Sequence, residues 1–359
     1  MRIVAVEAIP YALAFREPYV TARGPLDRRE LVLVRMRTDE GVEGLGEAVA
    51  MSLRGGASAA SLAGEITEFG AARLVGTELG STPPPAVEPV PAELAPAARA
   101  ALEVARLDLA AKLLEAPLWR FLGAVSSAPV PCNATLVAGP PTTVAADAER
   151  WAARGFATFK LKVGVPGDVG QVEAVRKAVG PGARLRVDAN GVWTPQEAAL
   201  RLAAMERHGI ELAEQPCADL EDLAAVRNQT AIPIAADESV NDVEDARRAR
   251  ELGACQLATV KLAKVGGVGP AREVAAELPV YLSSALDGPV GIAAAAHLAQ
   301  VLRPAAQWPG LAHGLATQLL FGDTITPIEC ELVGDLLHPP PGQGLGVEID
   351  DAALERNRI

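Results

Sequence analysis

The chain has 359 residues, half of them hydrophobic and fewer than a quarter charged, with a net charge of −12 at neutral pH. That length supports a large core with more than one domain, or one barrel with a cap. The acidic balance argues against nucleic acid or an anionic membrane as a main partner. Cys132, Cys217, Cys255 and Cys330 are far apart and form no CxxC pair. Neither a zinc knuckle nor a disulfide framework is expected, and a reducing cytoplasm fits. The opening "MRIVAVEAIPYALAF" is broken by Glu7 and Pro10 and lacks the apolar core and cleavage site of a signal peptide. No window reaches the roughly 18 uncharged apolar residues of a membrane helix. "VGIAAAAHLAQVL" comes closest and reads as a buried, Ala-rich helix.

Residues 1–50 alternate like antiparallel strands, with "DEG" as a turn between two runs. "FREPYVTARGP" has no clear period and reads as a loop. Residues 15–25 and 50–56 are expected to form a lid, within which Arg23 or Arg54 would meet a substrate carboxylate. The proline-rich stretch 82–98 is a connector, and the stretch after it has helical periodicity as far as Pro117. From about residue 128 eight short apolar strands alternate with helices, from "VPCNATLVAG" to "GLAHGL", over about 190 residues, the rhythm of a parallel barrel. The tail "GQGLGVEIDDAALERN" is expected to pack back on the N-terminal strands. This yields an α/β chain with an N-terminal α+β capping domain (1–125), a modified (β/α) TIM-type barrel (126–320) and a C-terminal segment (321–359) returning to the cap.

Several barrel strands end on a charged residue. Lys162 ends the second, Asp188 the third, Glu214 the fourth, Asp237 the fifth and Lys261 the sixth, at steps of 26, 26, 23 and 24 residues. Each step is about one β-α unit, which puts all five groups on the C-terminal rim, where barrel enzymes hold their active sites. Taken singly, Asp188 and Asp237 would more often be helix caps, and a lone strand lysine usually snorkels to solvent. Five such residues in register point to a site. Three carboxylates at one mouth repel unless a cation sits between them, and oxygen-only ligands select Mg2+ first and Mn2+ second. In "TFKLKVG", Lys160 shares the face of Lys162. Two residues of strand are about 6.6–7 Å, so at an effective dielectric near 20 their repulsion is roughly 2.4 kcal/mol. That is part of the roughly 4 kcal/mol needed to make Lys162 neutral near pH 7, with Mg2+ and partial burial to supply the remainder. Ser283 and Ser284 are candidates for a substrate carboxylate and Asn190 for a metal-bound water. Lys264 falls beyond the strand and reads as loop. His313 faces the mouth only if register allows, and His208 and His297 read as structural. The glycine-rich turns lack the P-loop Lys-Ser/Thr, and no G-x-S-x-G elbow occurs.

"KLK", "VDAN", "AEQP", "ADES" and "VKLAKVGG", in this order, resemble the enolase superfamily and, more narrowly, its muconate-lactonizing subgroup. The resemblance implies that Asp188, Glu214 and Asp237 bind Mg2+, that Lys162 is the general base and that Lys261 is the opposing lysine. The mandelate-racemase subgroup pairs a late His with an Asp, and here the sixth strand ends on Lys261. The stretches "VPCNATLVAG" and "YLSSALDGPVGIAAAAHLA" resemble o-succinylbenzoate synthases of the actinobacterial type, which act in menaquinone biosynthesis. Dipeptide epimerases of the subgroup tend to carry D-x-D on the eighth strand, and "AHGLATQ" lacks it. The long N-terminal part looks more like the epimerases and N-succinylamino acid racemases. The resemblance thus implies a small-molecule carboxylate substrate and is compatible with a homo-oligomer.

Overall fold

Two long strands, β1 (Ile3–Thr21) and β2 (Gly24–Thr38), pair antiparallel, and β3 (Glu43–Val49) pairs with β2 across the Thr38–Val42 turn. The computed structural model describes residues 1–21, 24–51, 55–78, 90–302 and 307–359. Residues 15–21, expected in a lid loop, instead continue β1 after a register shift between Ala14 and Tyr19. The backbone ladder carries the strand on where side-chain alternation fails, as a bulge allows.

Helices α1 (Ala59–Phe69), α2 (Pro96–Leu113) and α3 (Leu118–Phe121) complete this first layer. Ser58 caps α1 through its side chain, and Pro96 stands at the first turn of α2, where its missing N–H costs nothing. The "GLGEA" run explains how α2 lies on β3. A Cβ at Gly44 would fall on the carbonyl oxygen of Ala105, and one at Gly46 on that of Ala101. Only glycine allows this approach, and it leaves Glu47 to the opposite face of the strand.

The barrel begins with β4 (Val130–Pro131) and β5 (Ala134–Leu136). There follow α4 (Pro141–Ala153), β6 (Thr158–Lys162), α5 (Asp168–Val179), β7 (Arg184–Asp188), α6 (Pro195–Glu206), β8 (Ile210–Glu214) and α7 (Leu220–Arg227). Then come β9 (Ile234–Ala236), α8 (Val243–Leu252), β10 (Leu257–Val260), α9 (Leu262–Val265), α10 (Val268–Glu277), β11 (Val280–Leu282) and α11 (Pro289–Ala299). Among the described residues, β5 to β11 form a seven-stranded parallel sheet in sequence order. The eighth strand expected at "GLAHGL" is reduced to two bridges, at His313 and Gly314. His313 N donates to Pro131 O at 2.7 Å and Gly314 N to Leu282 O at 2.8 Å, which joins the two ends of the sheet. The flanking glycines of this stretch give it little to pack as a longer strand.

The C-terminal segment first forms a hairpin, β12 (Glu331–Val333) and β13 (Leu336–His338), which pairs with β4 at the N-terminal end of the barrel. After α12 (Asp351–Arg356) it reaches β1, where Ala12 N donates to Asn357 O at 2.9 Å and Ile359 N to Pro10 O at 3.2 Å. Two N-terminal carboxylates seat barrel helices. Glu103 on α2 accepts from Val268 N at 2.6 Å and Gly269 N at 2.9 Å, at the start of α10. Glu47 accepts from Gly288 N at 2.6 Å and Val290 N at 3.3 Å, at the start of α11, and from the Tyr11 hydroxyl at 2.8 Å. Both place negative charge at a helix N-terminus, where orphan N–H groups and the macrodipole favour it.

Candidate active site

Strand register assembles the rim. Lys162 stands opposite Asp188 and Asp188 opposite Glu214 in the parallel ladders β6–β7 and β7–β8. Asp237 directly follows β9, and Lys261 directly follows β10. The three carboxylates are buried, at 0%, 1% and 0% exposure for Asp188, Glu214 and Asp237, so their charges must be balanced locally.

Lysines supply that balance. Lys160 Nζ lies 2.9 Å from Asp188 Oδ2 and 2.6 Å from Glu214 Oε1. Lys162 Nζ donates to the same Asp188 oxygen at 2.6 Å and to Asn190 Oδ1 at 2.9 Å. The shared face predicted for the two lysines is therefore present, with one oxygen bridging them. The expected tuning by bare repulsion is corrected, because the Lys160 charge is balanced by two carboxylates. Burial would depress Lys160, but Asp188 and Glu214 outweigh it and hold its pKa well above the usual lysine range. Burial would likewise raise Asp188, yet Lys160 and Lys162 keep it well below the usual carboxylate range. Glu214 is pushed up to about 7 by burial and by Asp188, against Lys160.

On the other side, the Lys261 ammonium donates to Asp237 Oδ2. Lys264, expected in a loop, is instead on α9, half-buried against the same carboxylate. It donates to Asp237 O, to Asp237 Oδ1 at 3.0 Å and to Thr259 O at 3.3 Å. Lys264 stands three positions after Lys261, the N-cap of α9, and the single helical turn brings both ammonium groups to one carboxylate. Asp237 is held well below the ordinary range, burial being outweighed by Lys261 and Lys264.

Two further residues escaped the sequence reading. Gln215 is buried with φ +37°, and its Oε1 accepts from Asp237 N at 2.7 Å, linking β8 to β9. Tyr281 is buried on β11 and its hydroxyl donates to Glu214 Oε2. Asn190, with φ +50°, places its Oδ1 on Lys162 and its Nδ2 2.9 Å from Glu238 Oε1, so it orients that lysine. The Ser284 hydroxyl donates to Asp287 Oδ2 at 2.8 Å, while Ser283 stands half-buried at the rim. His313 is turned into the wall. Its Nδ1 accepts from Leu282 N at 2.9 Å, and burial, then Arg186, pushes its pKa down to about 4. Arg23 and Arg54 lie outside the described residues.

As the side chains stand, no three His, Cys, Asp or Glu groups among the described residues lie in the arrangement of a metal cage. The donor chemistry nevertheless fits a hard divalent cation. The carboxylates are buried and oxygen-only, and the Lys160 ammonium already occupies the place where two of them converge. Lysine side chains are flexible enough to yield that place to a stronger charge.

A parallel barrel with a charged rim under an α+β cap defines a (β/α)-barrel enzyme whose chemistry sits at the C-terminal mouth. Residues 4–123 match the mandelate racemase / muconate lactonizing enzyme N-terminal domain, and residues 143–353 match the enolase C-terminal domain-like family. The chain belongs to the enolase superfamily, in its mandelate racemase / muconate lactonizing branch. It is 38% identical over 240 residues to an o-succinylbenzoate synthase of Thermobifida fusca, covering 63% of this chain and 73% of that protein. It is 32% identical over 309 residues to an L-Ala-D/L-Glu epimerase of Clostridium acetobutylicum, covering 81% and 85%. A dipeptide epimerase from Enterococcus faecalis V583, solved with Mg and the dipeptide L-Leu-L-Tyr, superposes with a TM-score of 0.88 at 28% identity, covering 97% of this chain and 100% of that one.

Proposed function

We propose that the protein is an o-succinylbenzoate synthase, which dehydrates 2-succinyl-6-hydroxy-2,4-cyclohexadiene-1-carboxylate in menaquinone biosynthesis. The placement of Lys162 and Lys261 at the ends of β6 and β10, on either side of three buried carboxylates at the ends of β7, β8 and β9, supports proton abstraction α to a carboxylate. Within that chemistry, the observation that favours the synthase is the absence of a carboxylate at residues 312–317. Mg2+ held by Asp188, Glu214 and Asp237, with Mn2+ as a substitute, would supply Lewis-acid stabilisation of the negative charge developing on the substrate carboxylate.

The chain's own groups do the proton work. Asp188 and Asn190 each accept from Lys162 and fix where its nitrogen points. In the free-base form that proton abstraction requires, its two N–H bonds would serve these acceptors and its lone pair would face the substrate. Lys162 takes the proton α to the carboxylate, and the C–H electron pair enters the enediolate. The 6-hydroxyl then leaves with its C–O electron pair, the ring becomes aromatic, and Lys162 returns the proton to the departing hydroxide as water. Lys261 stays charged and stabilises the developing charge from the far side.

The rim at the eighth position, residues 312–317, carries no carboxylate. A substrate ammonium would find no counter-charge there, which favours a substrate without one. The second reading is an N-succinylamino acid racemase or dipeptide epimerase, in which Lys162 and Lys261 exchange protons on opposite faces of one carbon. Relatives named as epimerases are about as similar to this chain as those named as synthases, which supports it. Both are tested by one paired assay with Mg2+. It follows conversion of the cyclohexadiene to o-succinylbenzoate, and deuterium exchange at the α-carbon of N-succinylamino acids and dipeptides. Dehydration above a Lys162→Ala control is expected. Exchange without dehydration would move the assignment to the second reading.

A further inference from the structure

Beneath the charged rim, Leu212, Ala235, Leu257 and Tyr281 form a small apolar cluster inside the barrel, packed against Trp308 and Leu311. One polar atom leaves this layer upward, the Tyr281 hydroxyl, and it donates to Glu214 Oε2. The other Glu214 oxygen, Oε1, is on Lys160. The carboxylate is therefore gripped at both oxygens, by an ammonium on one and by a neutral hydroxyl on the other.

The ring that carries this hydroxyl is itself anchored. The guanidinium of Arg186, fully buried on β7, lies 5.1 Å from the Tyr281 ring centroid. Arg186 is fixed by Glu211 Oε2 at 2.5 Å and by Ala312 O at 2.7 Å. One stack thus ties the third, fourth and seventh strands to the closing segment, and its upper end is the hydroxyl on Glu214. Asp237 has a lysine on each oxygen, and Asp188 has two lysines on Oδ2 and the Asn190 N–H at 3.0 Å on Oδ1, so Glu214 alone of the three is held by a side-chain hydroxyl. An ammonium orients a carboxylate but competes with an incoming cation. A phenol orients it and leaves its full charge available.

We propose that Tyr281 is a positioning residue that presents Glu214 to the divalent cation, with Arg186 as the anchor of its ring. The proposal rests on the reading of Glu214 as a metal ligand, and the test separates the two. Mn2+ binding is measured by electron paramagnetic resonance for the wild type, Glu214→Gln and Tyr281→Phe. Removing the hydroxyl should weaken Mn2+ binding about 10–100-fold, the range seen when groups behind a metal ligand are lost. Half-maximal activity should then require correspondingly more Mg2+, and saturating Mg2+ should restore kcat, which damage to the fold would not allow.

A second measurement needs no variant. The chain has three tyrosines, so ring-13C tyrosine spectra resolve Tyr281, and its resonance should move along the Mg2+ binding isotherm. If the wild type binds no Mn2+, or Glu214→Gln binds as well as the wild type, the ligand reading fails and takes this proposal with it. If Glu214→Gln loses binding while Tyr281→Phe binds within twofold of the wild type, only the positioning role is overturned. Should Tyr281→Phe not fold, a Tyr281 resonance indifferent to Mg2+ is the overturning result.

Discussion

At the barrel mouth and at the junction of cap and barrel, carboxylates are buried or half-buried but are balanced by different means. At the mouth, Asp188, Glu214 and Asp237 face Lys160, Lys162, Lys261 and Lys264. At the junction, Glu47 faces a tyrosine hydroxyl and two helix N–H groups, Glu103 faces two more, and Asp287 is bonded to Ser284 and to Ala285 N. The consequences diverge. Burial raises every one of these acids, but ammonium groups reverse the direction for Asp188 and Asp237. At the junction burial prevails. Glu47 is pushed up to about 8 by burial and then by Asp287, against the bonds from Tyr11, Gly288 and Val290. Asp287 and Glu103 are raised as well, although Arg29 and Arg106 stand near them. Hydrogen bonds alone offset part of the desolvation of an anion, and two lysines each reverse it for Asp188 and Asp237, whereas Lys160 beside Glu214 does not. The mouth keeps Asp188 and Asp237 ionised and leaves Glu214 raised to about 7, whereas at the junction every acid is raised and Glu47 reaches about 8.

The sharpest way to break this contrast is Lys160→Met. It leaves Asp188 and Glu214 buried with one ammonium fewer, a change of the kind that costs about 3–5 kcal/mol. Urea unfolding should show that loss, and added Mg2+ should recover part of it by replacing the missing charge. A loss under about 1 kcal/mol would mean that Lys160 is not the counter-charge proposed.

Next in size is Glu47→Gln, read as the dependence of the melting temperature on pH. The folded value of about 8 lies above the roughly 4.3 of an exposed glutamate, so the folded state binds more protons between them. Its stabilising contribution is complete below about pH 4.3, falls as pH rises and is gone above about pH 8. Asp287, Asp108 and Glu103 are also raised and slope the same way. Glu47→Gln should flatten this decline, and an unchanged slope would show that Glu47 does not titrate there. The smallest effect belongs to Glu103→Gln, which keeps an acceptor at the start of α10 and loses the charge. A loss of about 1 kcal/mol is expected in the same unfolding assay, the scale of a charge at a partly buried helix N-terminus. A loss as large as that of Lys160→Met would erase the distinction between the two regions.

Much of the rim was legible in the sequence because each β-α unit returns the chain to the same end of the barrel. Charged residues one unit apart must then meet, and the register of Lys162, Asp188 and Glu214 follows from that repeat. The lid at residues 15–21 was misread because strand pairing there rests on backbone bonds that leave no side-chain pattern. Lys264 was passed over because one turn of helix is too short to leave a period.

The sequence by itself determined the barrel, its cap and which end carries the charge, since these depend on periodicity and spacing along one chain. Only the tertiary structure decided that Lys160 lies between two carboxylates, that Tyr281 reaches Glu214 across 67 positions, and that Glu47 meets Gly288 across 241. Those pairings depend on closure of the sheet, on the stagger between strands and on the room left beside each side chain. These are properties of the packed interior that no local pattern encodes.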